Sequence, residues 1–292
     1  MKLRTFTRFV FLIALSIVTV TQADNLIVSD YVGNSVSTLG TDGSAHLFAS
    51  GTQTPEGIVM DASGNIYVAL QQSQTIEKFT PTHVASTFAT LDGWIQGLAI
   101  DSQGNIYACN ATQRTVDKIT PGGTVSVFAS GFGAFSLPEA VAFDNSGNLY
   151  CTDYNAGTVD RISSTGIVTS YISSLSNPAG LVFDPSGNLY VAEHSQNAVL
   201  KIVPGGAESL FGGTIQSPFG VAFGSDSNLY VNSDVGWVYQ ITPDGTTTKF
   251  ATGFQQLSFI ATIPEPGAML IACAGLSILA RRRDRTARAI QN

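Results

Sequence analysis

Apolar and polar positions alternate with a period of two along most of the chain, in short runs bounded by Asp, Asn, Ser, Gly and Pro. Such runs predict strands closed by tight turns rather than helices. The runs also repeat. Asn25-Leu26-Ile27-Val28 returns as Asn65-Ile66-Tyr67-Val68, Asn105-Ile106-Tyr107-Ala108, Asn148-Leu149-Tyr150-Cys151, Asn188-Leu189-Tyr190-Val191 and Asn228-Leu229-Tyr230-Val231. Successive starts lie 40, 40, 43, 40 and 40 residues apart. A β pattern with a period near 40 is that of propeller blades.

Each unit offers four strands, a to d. In the copy that begins at Glu139 they are Glu139–Phe143, Asn148–Thr152, Thr158–Ile162 and Ile167–Ile172. The a–b turns read Asp61-Ala62-Ser63-Gly64, Asp144-Asn145-Ser146-Gly147 and Asp184-Pro185-Ser186-Gly187, so these Asp and Gly residues are first of all turn-makers. Six b strands face only five a strands between them. The sixth a strand is Ser258-Phe259-Ile260-Ala261-Thr262, at the far end of the repeat region. It should complete the N-terminal blade and close the ring, leaving no open edge. The expected fold is all-β, one six-bladed propeller over residues 24–263.

The two ends break this pattern. Residues 1–23 carry Lys2, Arg4 and Arg8 before an apolar stretch, Phe9 to Val20, and then Thr21-Gln22-Ala23. That is the layout of a helical secretory signal peptide. At the other end, Pro264-Glu265-Pro266 precedes an uncharged segment, 267–280, and then Arg281-Arg282-Arg283-Asp284-Arg285. Fourteen helical residues span about 21 Å, short of a hydrocarbon core. The Arg cluster would stay cytoplasmic. This arrangement over 264–285, with a tail at 286–292, resembles the PEP-CTERM sorting signal of Gram-negative bacteria. The resemblance implies export, a transient inner-membrane anchor, processing by an exosortase, and release to the cell surface or extracellular matrix. Expected partners are the secretion machinery and exosortase, with exopolysaccharide or another surface protein after release.

Charge sharpens the partner classes. The chain has 292 residues, 12% of them charged, and a net charge of −7. Residues 24–263 alone carry 6 basic and 19 acidic side chains, a net −13. An acidic ring is a poor surface for nucleic acid. Three Cys make neither a disulfide scaffold nor a four-Cys zinc site. Cys109 and Cys151 fall on b strands of adjacent blades. With stacked sheets about 10 Å apart, two buried free thiols are expected there. Cys273 lies in the sorting tail.

In a propeller, the starts of the a strands and the ends of the b strands share one face around the axis. The a strands begin at Glu56, Gln96, Glu139, Ala179, Phe219 and Ser258. The b strands end at Asp30, Leu70, Asn110, Asp153, Glu193 and Ser233. One residue further stand Tyr31, Gln71, Ala111, Tyr154, His194 and Asp234. The candidate ligand-binding face is therefore Asp30, Tyr31, Glu56, Gln96, Asn110, Glu139, Asp153, Tyr154, Glu193, His194 and Asp234. Converging carboxylates and amides suit a hard divalent cation, calcium or magnesium, with Glu56 and Glu139 as candidate ligands. They equally suit sugar hydroxyls, with Tyr31, Tyr154 and Phe219 as stacking surfaces. The plain alternative is that each acidic group caps backbone amides at its own strand end. Trp94 lies in a loop on the same face. No phosphate-cradling Gly-rich loop and no Gly-x-Ser-x-Gly elbow is present.

The repeated pattern Pro-x-Gly, three apolar residues and Asp, then Ser-Gly-Asn-x-Tyr-Val, resembles NHL-type repeats. Its clearest copy is Pro178-Ala179-Gly180-Leu181-Val182-Phe183-Asp184 with Asn188 to Glu193. Two enzyme groups are similar. The gluconolactonase and senescence-marker-protein group holds a divalent metal through Glu, Asn and Asp at strand-a starts. Glu56 in Pro55-Glu56-Gly57 resembles its first ligand, but Ala179 and Phe219 depart from the pattern, leaving Glu139 as a substitute. The streptogramin lyases use a His and a Glu as acid and base near a metal, on seven blades. Glu193-His194 is the adjacent pair that resembles theirs, although neighbours in a strand point to opposite sides. The favoured expectation is a surface-associated binding or scaffold protein. The alternatives are a metal-dependent hydrolase of the lactonase type and a streptogramin-lyase-like enzyme.

Overall fold

A computed structural model of the chain describes residues 26–263. The secretory and sorting segments read from the sequence, with their helices, lie outside the described residues. Six four-stranded antiparallel sheets follow one another around an axis. Blade 2 contains β4 (Pro55–Met60), β5 (Ile66–Leu70), β6 (Thr75–Phe79) and β7 (Ala85–Thr90). Blade 3 contains β8 (Ile95–Ile100), β9 (Ile106–Asn110), β10 (Thr115–Ile119) and β11 (Val125–Ala129). Blade 4 contains β12 (Pro138–Phe143), β13 (Leu149–Asp153), β14 (Thr158–Ile162) and β15 (Val168–Ile172). Blade 5 runs β16 (Pro178–Phe183), β17 (Leu189–Glu193), β18 (Ala198–Ile202) and β19 (Glu208–Phe211). Blade 6 runs β20 (Pro218–Phe223), β21 (Leu229–Ser233), β22 (Trp237–Ile241) and β23 (Thr247–Thr252).

Blade 1 is built from both ends of this region. Its strands β1 (Leu26–Asp30), β2 (Ser35–Leu39) and β3 (Ala45–Ser50) are completed by β24 (Leu257–Thr262). β24 pairs antiparallel with β1, Leu26 opposite Thr262 and Val28 opposite Ile260. Ser29 ties the join twice, its Oγ accepting from the Phe259 amide at 3.0 Å and donating to the Phe259 carbonyl at 3.3 Å. The expected clasp is present.

Burial explains the residue pattern. All six second strands are buried along their whole length, because each lies between two neighbouring sheets. The outermost strands are largely exposed. The innermost strands crowd the axis. A Cβ on Gly57 would lie 2.5 Å from the Leu98 amide nitrogen, and one on Gly97 would lie 2.7 Å from the Ala140 Cα. Only glycine admits backbones that close.

The a–b turns are clips. Asp61 accepts from the amides of Ser63 and Asn65, from the Asn65 side chain at 2.7 Å and from the Tyr67 hydroxyl at 3.0 Å. Asp101 and Asp184 repeat the set with Tyr107 and Tyr190. Burial alone would raise these carboxyls, but the hydrogen bonds from Asn and backbone outweigh it and hold them below the usual range. Each Tyr ring meets an aromatic edge of its own outer strand, Tyr67 on Phe88 and Tyr107 on Phe128. The repeated Tyr is thus a link from turn to core.

Candidate functional site

The starts of the first strands and the ends of the second strands share the channel mouth, and the structure sorts the predicted residues into three groups. The first group closes loops. Asp30 accepts from the amides of Gly33, Gln255 and Gln256 at 2.9–3.0 Å. Asp153 accepts from the amides of Leu137 and Ala156 and from the Ser136 hydroxyl. Glu193 accepts from the Ser176 amide at 3.0 Å. Asn110 donates to Asp117 at 2.9 Å and to the Asp92 carbonyl at 3.2 Å. These four are held by local bonds at strand ends.

The second group lines the channel. Glu56, Gln96 and Glu139 are the second residues of β4, β8 and β12 and are all buried. Glu56 Oε2 and Glu139 Oε1 have no hydrogen-bond partner. Burial, then the charge of Glu139, pushes Glu56 well above the ordinary carboxyl range, against one hydrogen bond from Ser258. Burial pushes Glu139 up to about 8, so it is largely protonated at neutral pH. The opposite arc of the channel is apolar: Ala179 is buried, and Phe219 packs edge-on against Phe259 with centroids 5.8 Å apart.

The third group forms two chains across the rim. The Tyr31 hydroxyl donates to Gln71 Oε1 at 2.8 Å, and Gln71 Nε2 reaches Glu56 at 3.4 Å and Gln96 at 3.3 Å. Gln71 carries neither charge nor ring, and residue chemistry alone does not single it out; its register with Tyr31 does. The second chain runs over blades 4, 5 and 6. Tyr154 Oη lies 3.1 Å from His194 Nδ1, and His194 Nε2 lies 3.0 Å from Asp234 Oδ2. A carboxylate only accepts, so Nε2 carries the proton and Nδ1 accepts from the Tyr154 hydroxyl. His194 opens a short 3₁₀ turn, His194–Gln196. Its side chain and that of Asp234 remain 21% and 25% exposed, within reach of a ligand. Burial, then the charges of Glu139 and Asp234, pushes the Tyr154 hydroxyl up. Tyr154 therefore feels both the channel carboxyl Glu139 and Asp234 at the far end of the relay.

Blade 3 contributes only Ala111 to this rim. Beside it, Trp94 is 55% exposed and Phe135 is 89% exposed. Phe135 sits in the β11–β12 connection, where the one 43-residue spacing adds three residues. Arg114 Nη1 holds that loop through the Ala134 carbonyl at 3.3 Å.

Among the described residues, no group of three or more His, Cys, Asp and Glu converges as a metal cluster. The two orphaned carboxyl oxygens are nonetheless oxygen donors of the kind a hard divalent cation takes. Glu56 and Glu139 would hold it.

These features define a β-propeller whose mouth combines an Asp-held histidine with a protonated buried carboxyl. The chain belongs to the virginiamycin B lyase family, whose model matches residues 44–267. No curated protein sequence matches it. Among solved structures it is similar to a catalytically inactive histidine-to-alanine form of virginiamycin B lyase from Staphylococcus aureus with quinupristin (16% identity, 80% of this chain and 86% of that one, TM-score 0.62). A gluconolactonase from Xanthomonas campestris aligns at 15% identity over 82% and 88% of the two chains, TM-score 0.64. Regucalcin from Agrobacterium tumefaciens, described as calcium-binding, aligns at 16% over 72% and 78%, TM-score 0.64. At such identities the likeness establishes the shared propeller fold.

Proposed function

We propose that the chain is a lyase that opens a cyclic ester by elimination at the channel mouth. The observation that carries this reading is the Tyr154–His194–Asp234 relay beside Glu139. In the lyase relative, loss of a histidine accompanies loss of catalysis; here His194 is the histidine at the mouth. The Glu that works with it is Glu139 of blade 4, not the adjacent Glu193, which is held by the Ser176 amide.

The Tyr154 oxygen takes the proton from the carbon next to an activating carbonyl as its own proton passes to His194 Nδ1. The imidazolium that results lies against Asp234. The electron pair left on carbon forms a double bond as the neighbouring carbon–oxygen bond breaks, and the ester carboxylate leaves with the other pair. Neutral Glu139 donates a hydrogen bond to developing negative charge. Were a divalent cation bound instead, Glu56 and Glu139 would hold it as ionised carboxylates, and it would supply Lewis-acid stabilisation of that charge in place of the Glu139 hydrogen bond. The apolar arc at Phe219 and the exposed rings of Trp94 and Phe135 offer surface to the nonpolar parts of such a ligand. In this reading the enzyme acts after export, with exosortase processing and a surface or exopolysaccharide setting, supported by the residues of the two ends alone.

The test is purified chain with quinupristin, the compound named for the relative. Elimination gives a ring-opened product of unchanged mass, whereas a lactonase gives one a water heavier. His194→Ala should abolish product. A shift in melting temperature with oligosaccharides and no turnover would favour the binding-protein reading instead.

A further inference from the structure

Cys109 on β9 and Cys151 on β13 are both fully buried and both free. A sheet spacing of about 10 Å would keep them apart, yet their Sγ atoms lie 3.8 Å from each other. The reason is the wedge shape of the ring. Near the axis blades 3 and 4 touch at their backbones, as the 2.7 Å from a Gly97 Cβ to the Ala140 Cα shows. Both thiols point into the same layer between these blades, with Val116, Ala129 and Val141.

We propose that Cys109 and Cys151 form a disulfide that crosslinks blades 3 and 4. The sulfurs must close by less than about 2 Å to reach bonding distance. The chemistry is exchange with a small disulfide oxidant. One cysteine thiolate attacks the oxidant and releases one thiolate. The second cysteine thiolate displaces the other. Two protons leave the cysteines, and two electrons end on the two thiols of the reduced oxidant.

Timing follows from burial. In the folded ring neither thiol reaches solvent. Burial, together with the neighbouring Cys151 sulfur and Glu139, holds the Cys109 thiol well above its ordinary range. The folded pair is therefore inert to oxidant. Oxidation belongs to folding, as blades 3 and 4 come together and before the layer between them closes to solvent, and the closed ring keeps the redox state in which it closed. The crosslink joins the strands that lead to Ala111 and Tyr154, and so ties together the two blades beside Glu139.

The test uses the full chain carrying Cys273→Ser, unfolded and refolded either with glutathione disulfide or with reductant. Peptide mapping without reduction should find a 109–151 linked peptide, two hydrogens lighter than the free pair, only after oxidative refolding. That form should melt at a higher temperature. The ring refolded under reductant should resist both glutathione disulfide and thiol reagents until it is unfolded. Cys151→Ser should lose the linked peptide and the difference in melting temperature together. Two free thiols after oxidative refolding, rapid labelling of the folded ring, or a melting difference that survives in Cys151→Ser would each overturn the proposal.

Discussion

Glu139 binds its proton more tightly in the folded chain than in the unfolded one. Between its ordinary value of 4.5 and about 8, the folded state holds a proton that the unfolded state has released. Stability should therefore fall as pH rises through that window, with a slope of up to about 1.4 kcal/mol per unit from this group. Glu56 shifts the same way and adds to it. The turn carboxyls Asp61, Asp101 and Asp184 are shifted downwards, and their contribution is lost only at more acid pH. Urea midpoints at pH 5 and pH 8 should differ in the native chain. The difference should shrink in Glu139→Gln and shrink further in Glu56→Gln with Glu139→Gln. An unchanged difference in the double variant would show that burial of these carboxyls is not its source. At the rim, Asp234→Asn should leave His194 in place but remove the carboxylate that fixes its tautomer and faces the imidazolium. A loss of activity of about 10²-fold or more is expected, in line with general acid–base contributions.

Among the elements, the clasp strand β24 joins the two ends of the propeller and should govern its stability. Leu257 is fully buried at its start, and Leu257→Ala should cost about 2–5 kcal/mol. Removing the chain from Leu257 onward should lower the melting temperature of the whole ring, because blade 1 then loses its inner strand and both neighbours lose a packing face. A melting temperature unchanged by that truncation would contradict the closure. Gly97→Ala tests the crowding at the axis. Its Cβ would meet the Ala140 Cα at 2.7 Å, and backbone cannot swing aside, so a loss of about 1–3 kcal/mol is expected by thermal melting. These elements were legible in the sequence because each repeats a local rule. Asp-x-Ser-Gly-Asn makes a turn wherever it stands, and the missing first strand has one place to come from. The rim was legible only in part. The positions of Tyr154, His194 and Asp234, each 40 residues from the next, follow from the period. Which acidic residues cap their own loops does not. Asp30 and Asp153 differ from Asp234 through the loop amides they meet, and those depend on connections between blades. The 3.8 Å between the two thiols was hidden for a related reason: a mean sheet spacing says nothing of how a wedge narrows towards its axis.

For the molecule as a whole, charge and shape act together. Burial of the inner strands on both faces confines most charge to turns and rims, which accounts for a chain only 12% charged. The propeller region, residues 24–263, at −13, should repel polyanions and draw in cations or neutral ligands. Around the mouth the acidic and amide arc of Glu56, Gln96 and Glu139 faces the arc of Ala179 and Phe219, where Phe219 packs edge-on against His194, so a ligand meets the carboxyls on one side and the histidine with nonpolar surface on the other. The proposed elimination from an ester-bearing ring rests on family membership together with this mouth. The most direct test is the mass of the product formed from quinupristin by the full chain and by its His194→Ala form. The account predicts a ring-opened product of the same mass as the substrate, formed by the native chain and absent with His194→Ala. Unchanged substrate with the native chain, a product heavier by one water, or product formation that survives His194→Ala would contradict it.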